Sequence, residues 1–405
     1  MKRRTLFFFL MTIVTLGVLV PGLAMAKKVP GVTKDTIVIG QWGPQTGPAA
    51  LWGAVARGTD CYFKMLNDEG GIHGRKLKLL LRDDGYMPPK TKAAAKEMIN
   101  KGVFAFVGGV GTATGMAVMD DVLDNKIPWV GMATGSSHFA YPPKRYVFAT
   151  YPNYIDEAYI LTRYAVETLG KKKIACFYQN DDYGKEGRQG AEKYLKEKGM
   201  ALVAGVPAEV MDTDLSSHAM KLKQSGADAV IFWIMPKHGA IMLGTAAKLG
   251  FTPQWITSST LSDFQLMWAV TKGLWNGMVF GNFGLLPDSN DPLMVKYRQG
   301  YEKHRLSEKE RWGVFFYAGF LFAEPLVEGL RRAGSDLTRE GFVEAMETLK
   351  DFQGISGPIT FGKDQRQGLR SVFISKCVGK KMVIEGEEKS VPTAERLSDW
   401  LSVPK

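Results

Sequence analysis

The chain has 405 residues and a formal net charge of +11, a length that corresponds to two domains, each able to bury its own core. Its lysines are scattered among acids and alanines, and no basic run interleaves with aromatics, which argues against nucleic-acid binding. Its 3 cysteines (Cys61, Cys176, Cys377) are too few and too far apart for a disulfide framework, and its 5 histidines never fall at the spacing of a local metal motif, so no metal or cofactor is expected.

The first element is a leader. Lys2, Arg3 and Arg4 precede an apolar run over 6–20, Pro21 and Gly22 break it, and Ala24-Met25-Ala26 offers the small residues of a cleavage site. The pattern predicts a signal peptide over 1–26, because the run is short for a span of roughly 20 residues. With no cysteine at the cleavage site, the expected product is a free, soluble periplasmic protein with a charge of +8, since the leader carries three positive charges and no acid.

From residue 36 the chain alternates between strand and helix periodicity. A strand over 36–42 and the turn 43–48 lead into a helix on which Leu51, Val55, Tyr62 and Leu66 recur at helical spacing. Strands over 77–82, 103–107 and 127–132 follow, with helices over 89–101 and 114–125. After 151–153 the rhythm restarts: helix 156–169, strand 173–178, helix 184–198, strand 201–207 and helix 215–225, with Asp214 as a candidate N-cap. Strand 229–234, helix 239–249 and strand Gln254–Thr257 complete it; beyond 277 the pattern weakens to a long helix over 312–333 and strand-like stretches from 359. Two βα runs with apolar strands predict an α/β protein of two doubly wound lobes.

Two loops have donor chemistry. Gly108-Gly109-Val110-Gly111-Thr112-Ala113-Thr114-Gly115 departs from the dinucleotide fingerprint, and its hydroxyls and N–H groups at the start of a helix suit a small carboxylate. Met132-Ala133-Thr134-Gly135-Ser136-Ser137-His138 has the same small, hydroxyl-rich character, with no nucleophile elbow or paired-histidine motif to support a hydrolase. In Asn180-Asp181-Asp182-Tyr183-Gly184 the acids read as helix caps, and Tyr183 is placed to enter a cleft.

The segments Ile37-Val38-Ile39-Gly40, Gln45-Thr46-Gly47-Pro48, Leu66-Asn67-Asp68-Glu69-Gly70-Gly71-Ile72-His73-Gly74-Arg75, Arg82-Asp83-Asp84, Asp181-Asp182-Tyr183-Gly184 and Gln224-Ser225-Gly226-Ala227-Asp228 occur in an order that resembles the periplasmic binding proteins for branched-chain amino acids and their relatives in ABC importers. The resemblance implies a type I periplasmic binding fold with ligand held between two lobes. It places the N-terminal lobe at 27–150 and 284–358 and the C-terminal lobe at 151–283 and 359–405, with crossings near 150–153, 281–283 and 359–361. It also implies hinge closure, a membrane permease as partner, a monomer and no catalysis. By the same resemblance Thr112 meets a ligand carboxylate, Ala133 and Thr134 flank it, Tyr183 covers it, and Trp52 stands at a first-loop tyrosine. Two positions depart from the family: Ser259 stands where amino-acid binders place an acid, and Met235 where they place a tyrosine. That leaves an amino acid and a carboxylate, amide or aromatic acid without an ammonium both open, with Asp263 a possible substitute acid. A sensor of the same fold is the alternative role, and a periplasmic hydrolase a more distant one.

Overall fold

The computed structural model describes residues 29–384 and 387–403; the leader expected over 1–26 lies outside them. Strands β1 (Thr36–Gly43), β2 (Lys76–Asp83), β3 (Ala105–Val107), β4 (Trp129–Val130) and β5 (Val147–Phe148) form an all-parallel sheet in the order β2-β1-β3-β4-β5. A second sheet contains β6 (Ile174–Gln179), β7 (Ala204–Ala208), β8 (Ala229–Trp233), β9 (Gln254–Thr257), β10 (Val279–Asn282), β11 (Phe373–Ile384) and β12 (Glu387–Arg396). Its order is β12-β11-β10-β9-β8-β6-β7, parallel except where β11 and β12 add as an antiparallel hairpin. Every residue of β6 and β8 is buried, as expected of central strands covered by helices on both faces.

The helix Val314–Ala333 belongs to the first lobe although it lies far along the chain. It packs on the helix Ala54–Asp68 with the two backbones in near contact, because a Cβ at Gly58 would lie 1.9 Å from the Phe316 carbonyl oxygen. A Cβ at Gly319 would likewise lie 2.1 Å from the Val55 carbonyl oxygen, and the close approach lets Thr59 Oγ1 donate to the Gly319 carbonyl at 3.2 Å. Only glycine fits at either position.

The chain leaves the first sheet after β5 and returns after β10, where Gly284 bridges Ser356. Residues 359–369 stay against the first sheet: Phe361 meets Phe148 edge-on at 5.2 Å, and Gln367 bridges Ala149. Buried Arg366 donates to the carbonyls of Lys144 and Arg145 and pairs with Glu347. The chain joins the second sheet at Phe373. One apolar cluster is continuous between the lobes through Tyr151, Tyr154, Tyr183 and Trp233.

Several elements differ from expectation. The helix expected over 114–125 is two short ones, Thr112–Met116 and Met119–Asp124, with Gly115 pressed against Phe139 and Trp129. The strand expected over 127–132 shrinks to the two residues of β4. Short β5 and the helices Pro292–His304 and Arg339–Met346 had no clear sequence pattern. Asp214 accepts from Ser216 N–H at 2.9 Å but precedes the cap position, which Leu215 occupies. The three thiols are buried and free, with burial pushing each up to about 12. Among the described residues no helix is long and apolar enough to cross a membrane.

Candidate functional site

The carboxyl ends of both sheets' parallel strands face one another, the position where open α/β sheets place their ligands. After β1, the loop 44–49 is tied to the end of β2, with Gln45 N–H and the Thr46 hydroxyl donating to Asp83 at 2.9 and 2.6 Å. That anchor delivers the short turn Ala50–Gly53 and its Trp52 into the cleft. The indole N–H crosses to the second lobe and donates to the Thr260 carbonyl at 3.1 Å, while its ring packs on Phe315 at 4.4 Å.

Gly111, with φ +103°, opens the next loop; a Cβ there would strike the Tyr86 ring at 2.6 Å. Thr112 follows, and its Oγ1 shares a 2.8 Å hydrogen bond with Thr134 Oγ1. Thr134 also accepts from Ser136 N–H at 3.3 Å, so when Thr134 donates to Thr112, the Thr112 hydrogen is left for a ligand oxygen. The helix begun by Thr112 has only five residues, so the donors here are hydroxyls and local N–H groups, and the helix-dipole contribution expected from a longer helix is absent. Ala133 is bridged to Val110, which sets this second loop beside the first.

From the second lobe, Asp181 caps the helix Asp182–Glu197 by accepting from Gly184 N–H at 3.3 Å, which fixes Tyr183 one residue inside. The Tyr183 hydroxyl donates to the Ile234 carbonyl at 3.0 Å and shares a 2.6 Å bond with Thr260 Oγ1. Burial holds its pKa well above the usual range, so it stays a neutral donor. Met235, nearly buried, starts the helix Pro236–Lys248 and forms an apolar wall.

Trp52, Thr112, Ala133, Tyr183 and Met235 line a single cavity of about 30 Å³ between the lobes, room for about two waters. Thr134 lies directly behind Thr112. Ser259 is turned away: its N–H and Oγ donate to Glu157 at 2.6 and 3.0 Å, and its Oγ pairs with the Tyr151 hydroxyl at 2.9 Å. Its neighbour Thr260 reaches the cavity instead. Asp263 accepts from Leu266 N–H at 3.1 Å and Phe315 N–H at 3.0 Å and does not line the cavity. Glu157 is fully buried, and desolvation pushes its carboxyl up to about 7 against the pull of Ser259.

Two further aromatic walls escaped the sequence reading. Tyr86 lies in the left-handed region at φ +61°, costly for a bulky residue, and is held there by a turn in which Asp83 and Asp84 accept from Gly85 and Tyr86 N–H at 2.9 and 3.0 Å. The Asp83-Asp84-Gly85 turn chemistry was its only signal. Tyr154 begins the helix Tyr154–Arg163 just after the first crossing, where Asn153 caps Ile155 and Asp156 at 3.0 and 3.3 Å. The lobes also meet outside the cavity: Ser137 N–H donates to Glu186 at 3.0 Å, and the Ser137 hydroxyl bonds the same carboxylate.

A family model described as periplasmic binding protein matches residues 36–381. Among curated relatives, the Leu/Ile/Val-binding protein BraC3 of Rhizobium johnstonii is 25% identical over 381 residues, covering 92% of this chain and 99% of its own length. The Leu/Ile/Val-binding protein homolog 3 of Brucella melitensis is 24% identical over 328 residues, 81% of this chain and 87% of its own. Two solved structures share the fold. A fatty acid ABC transporter substrate-binding protein from Thermomonospora curvata superposes with a TM-score of 0.82 at 22% identity, covering 93% of this chain and 95% of its own. A branched chain amino acid ABC transporter from Thermus thermophilus with bound valine gives 0.79 at 19% identity, covering 91% and 98%.

Proposed function

Since this chain belongs to the periplasmic binding protein family and has its type I fold, we propose that it is the substrate-binding component of an ABC importer. It captures a small organic ligand between its lobes and presents the closed form to a membrane permease. The observation that carries this reading is one cavity walled by both lobes, with Trp52 and Tyr183 each hydrogen-bonded to the Ile234–Thr260 side of it. Thr112 takes the ligand first, and rotation of the second lobe brings Tyr183 and Met235 over it. We place the crossings at 150–153, at 281–283 and between Gln367 and Phe373, where the chain passes from one sheet to the other. Export by the leader would put the protein in the periplasm.

Binding without covalent chemistry suits these side chains. The Ser137 hydroxyl is bonded to Glu186, the Ser136 oxygen accepts from His138 N–H, and among the described residues neither serine bonds the His138 ring. The names of the relatives direct the first panel toward branched-chain amino acids, aliphatic acids and aromatic acids. Thermal unfolding of residues 27–405 with each compound tests the proposal: at least one is expected to raise the melting temperature and to lose that effect in Thr112→Ala. A shift that Thr112→Ala retains would place binding elsewhere.

A further inference from the structure

The groups lining the cavity also decide which charge it can take, an inference that rests on the cleft being the ligand site. Its polar side chains are the hydroxyls of Thr112, Thr260 and the tyrosines; no Asp, Glu, Lys, Arg or His is among the residues that line it. The buried and half-buried acids nearest it are engaged elsewhere. Glu157 holds Ser259 N–H at 2.6 Å, Asp181 holds Gln179 Nε2 at 2.5 Å and Gly184 N–H at 3.3 Å, and Asp263 holds Phe315 N–H at 3.0 Å. Two carbonyl acceptors facing the cavity are taken as well, Ile234 by the Tyr183 hydroxyl and Thr260 by the Trp52 indole.

We propose that the site, with its lobes parted wider than around the two-water cavity seen here, takes a small monocarboxylate with an apolar or aromatic body and no ammonium group, and discriminates against the matching α-amino acid. An ammonium closed into this cavity would leave water without a carboxylate partner, which is strongly unfavourable. A carboxylate oxygen, by contrast, finds hydroxyl donors in place of a cation: the Thr112–Thr134 bond can run either way, and when Thr134 donates, the Thr112 hydrogen is turned to the ligand, while the chain's net positive charge favours the approach of an anion. An aromatic cage for a quaternary ammonium is disfavoured, because Tyr154 and Tyr183 meet each other edge-to-face at 5.1 Å and Trp52 lies on Phe315 at 4.4 Å, so the rings pack on protein.

The test compares matched pairs on residues 27–405 by tryptophan fluorescence titration and calorimetry: 4-methylpentanoate with leucine, 3-phenylpropanoate with phenylalanine, and glycine betaine as a third class. At least one acid should bind tenfold or more tighter than its amino acid, a difference of about 1.4 kcal/mol. Thr260→Asp, which adds a carboxylate at the cavity wall, should move that preference at least tenfold toward the amino acid. An amino acid or betaine that binds the wild type as tightly as the acids overturns the ligand class while leaving the cleft as the site. Acid binding that Thr112→Ala leaves unchanged defeats the site itself, and silence from every probe overturns the inference.

Discussion

At the scale of single residues, hydroxyl pairs and buried carboxyls set the properties of the cleft. Thr112→Ala removes the hydroxyl proposed to meet the ligand but also unpairs Thr134, which retains the Ser136 N–H contact. Ligand affinity should fall by roughly 1–3 kcal/mol with little change in melting temperature. Glu157 gives a pH signature. Burial raises its carboxyl from 4.5 to about 7, so the folded chain holds this proton where the unfolded chain has lost it. Its contribution is therefore fully present below pH 4.5 and lost as pH rises through about 7, by up to about 3 kcal/mol. Glu324, buried beside Tyr297 and also raised to about 7, acts in the same direction. Denaturant unfolding between pH 5 and 8 should therefore show stability falling, and Glu157→Gln should remove part of that slope while the amide still accepts from Ser259; an unchanged slope would assign the titration to other groups.

At the scale of elements, the proposed closure depends on where short loops end. The loop after β4 donates twice to Glu186 on the helix Asp182–Glu197 of the opposite lobe, and desolvation raises that carboxyl. Ser137→Ala keeps the N–H bond and loses the hydroxyl bond. The variant should release ligand faster and bind about tenfold more weakly, about 1.4 kcal/mol, read by stopped-flow dissociation; an unchanged rate would make this contact incidental to closure. The elements that carry these loops were legible where their pattern was long: β1, β6 and β8, and the helices Ala54–Asp68 and Asp182–Glu197, follow directly from apolar periodicity and caps. Two-residue β4 and β5 are too short to have a period and exist because β3 offers an edge to β4, and β4 in turn to β5.

At the scale of the whole molecule, the late helix Val314–Ala333 ties the two ends of the first lobe together, and the proposed closure turns the lobes as units about the three crossings. A ligand held only by the closed form should stabilise the chain by about 2.7 kcal/mol at 100 times its Kd and, in small-angle scattering, narrow the particle relative to the ligand-free state. A stabilising ligand that leaves the scattering unchanged would mean that the closed arrangement already dominates without it.

The sequence by itself determined the α/β class and the two-lobe plan, because strand and helix periods are local; Trp52, Thr112, Ala133, Tyr183 and Met235, which line the cavity, were named through the resemblance of its motifs to a known family. It could not determine which of Ser259 and Thr260 faces the cavity. That depends on Glu157, 102 residues earlier, drawing Ser259 to itself. Nor did it bring Tyr86 and Tyr154 into the cleft: a local acid-rich turn gives Tyr86 its left-handed backbone and a lobe crossing precedes Tyr154, but only the tertiary fold sets either ring against the opposite wall. Asp263 was decided the same way, by Phe315 at the start of a helix, 52 residues onward, whose N–H holds its carboxylate away from the cavity. Local patterns fix what a residue can do; burial and distant partners decide what it does.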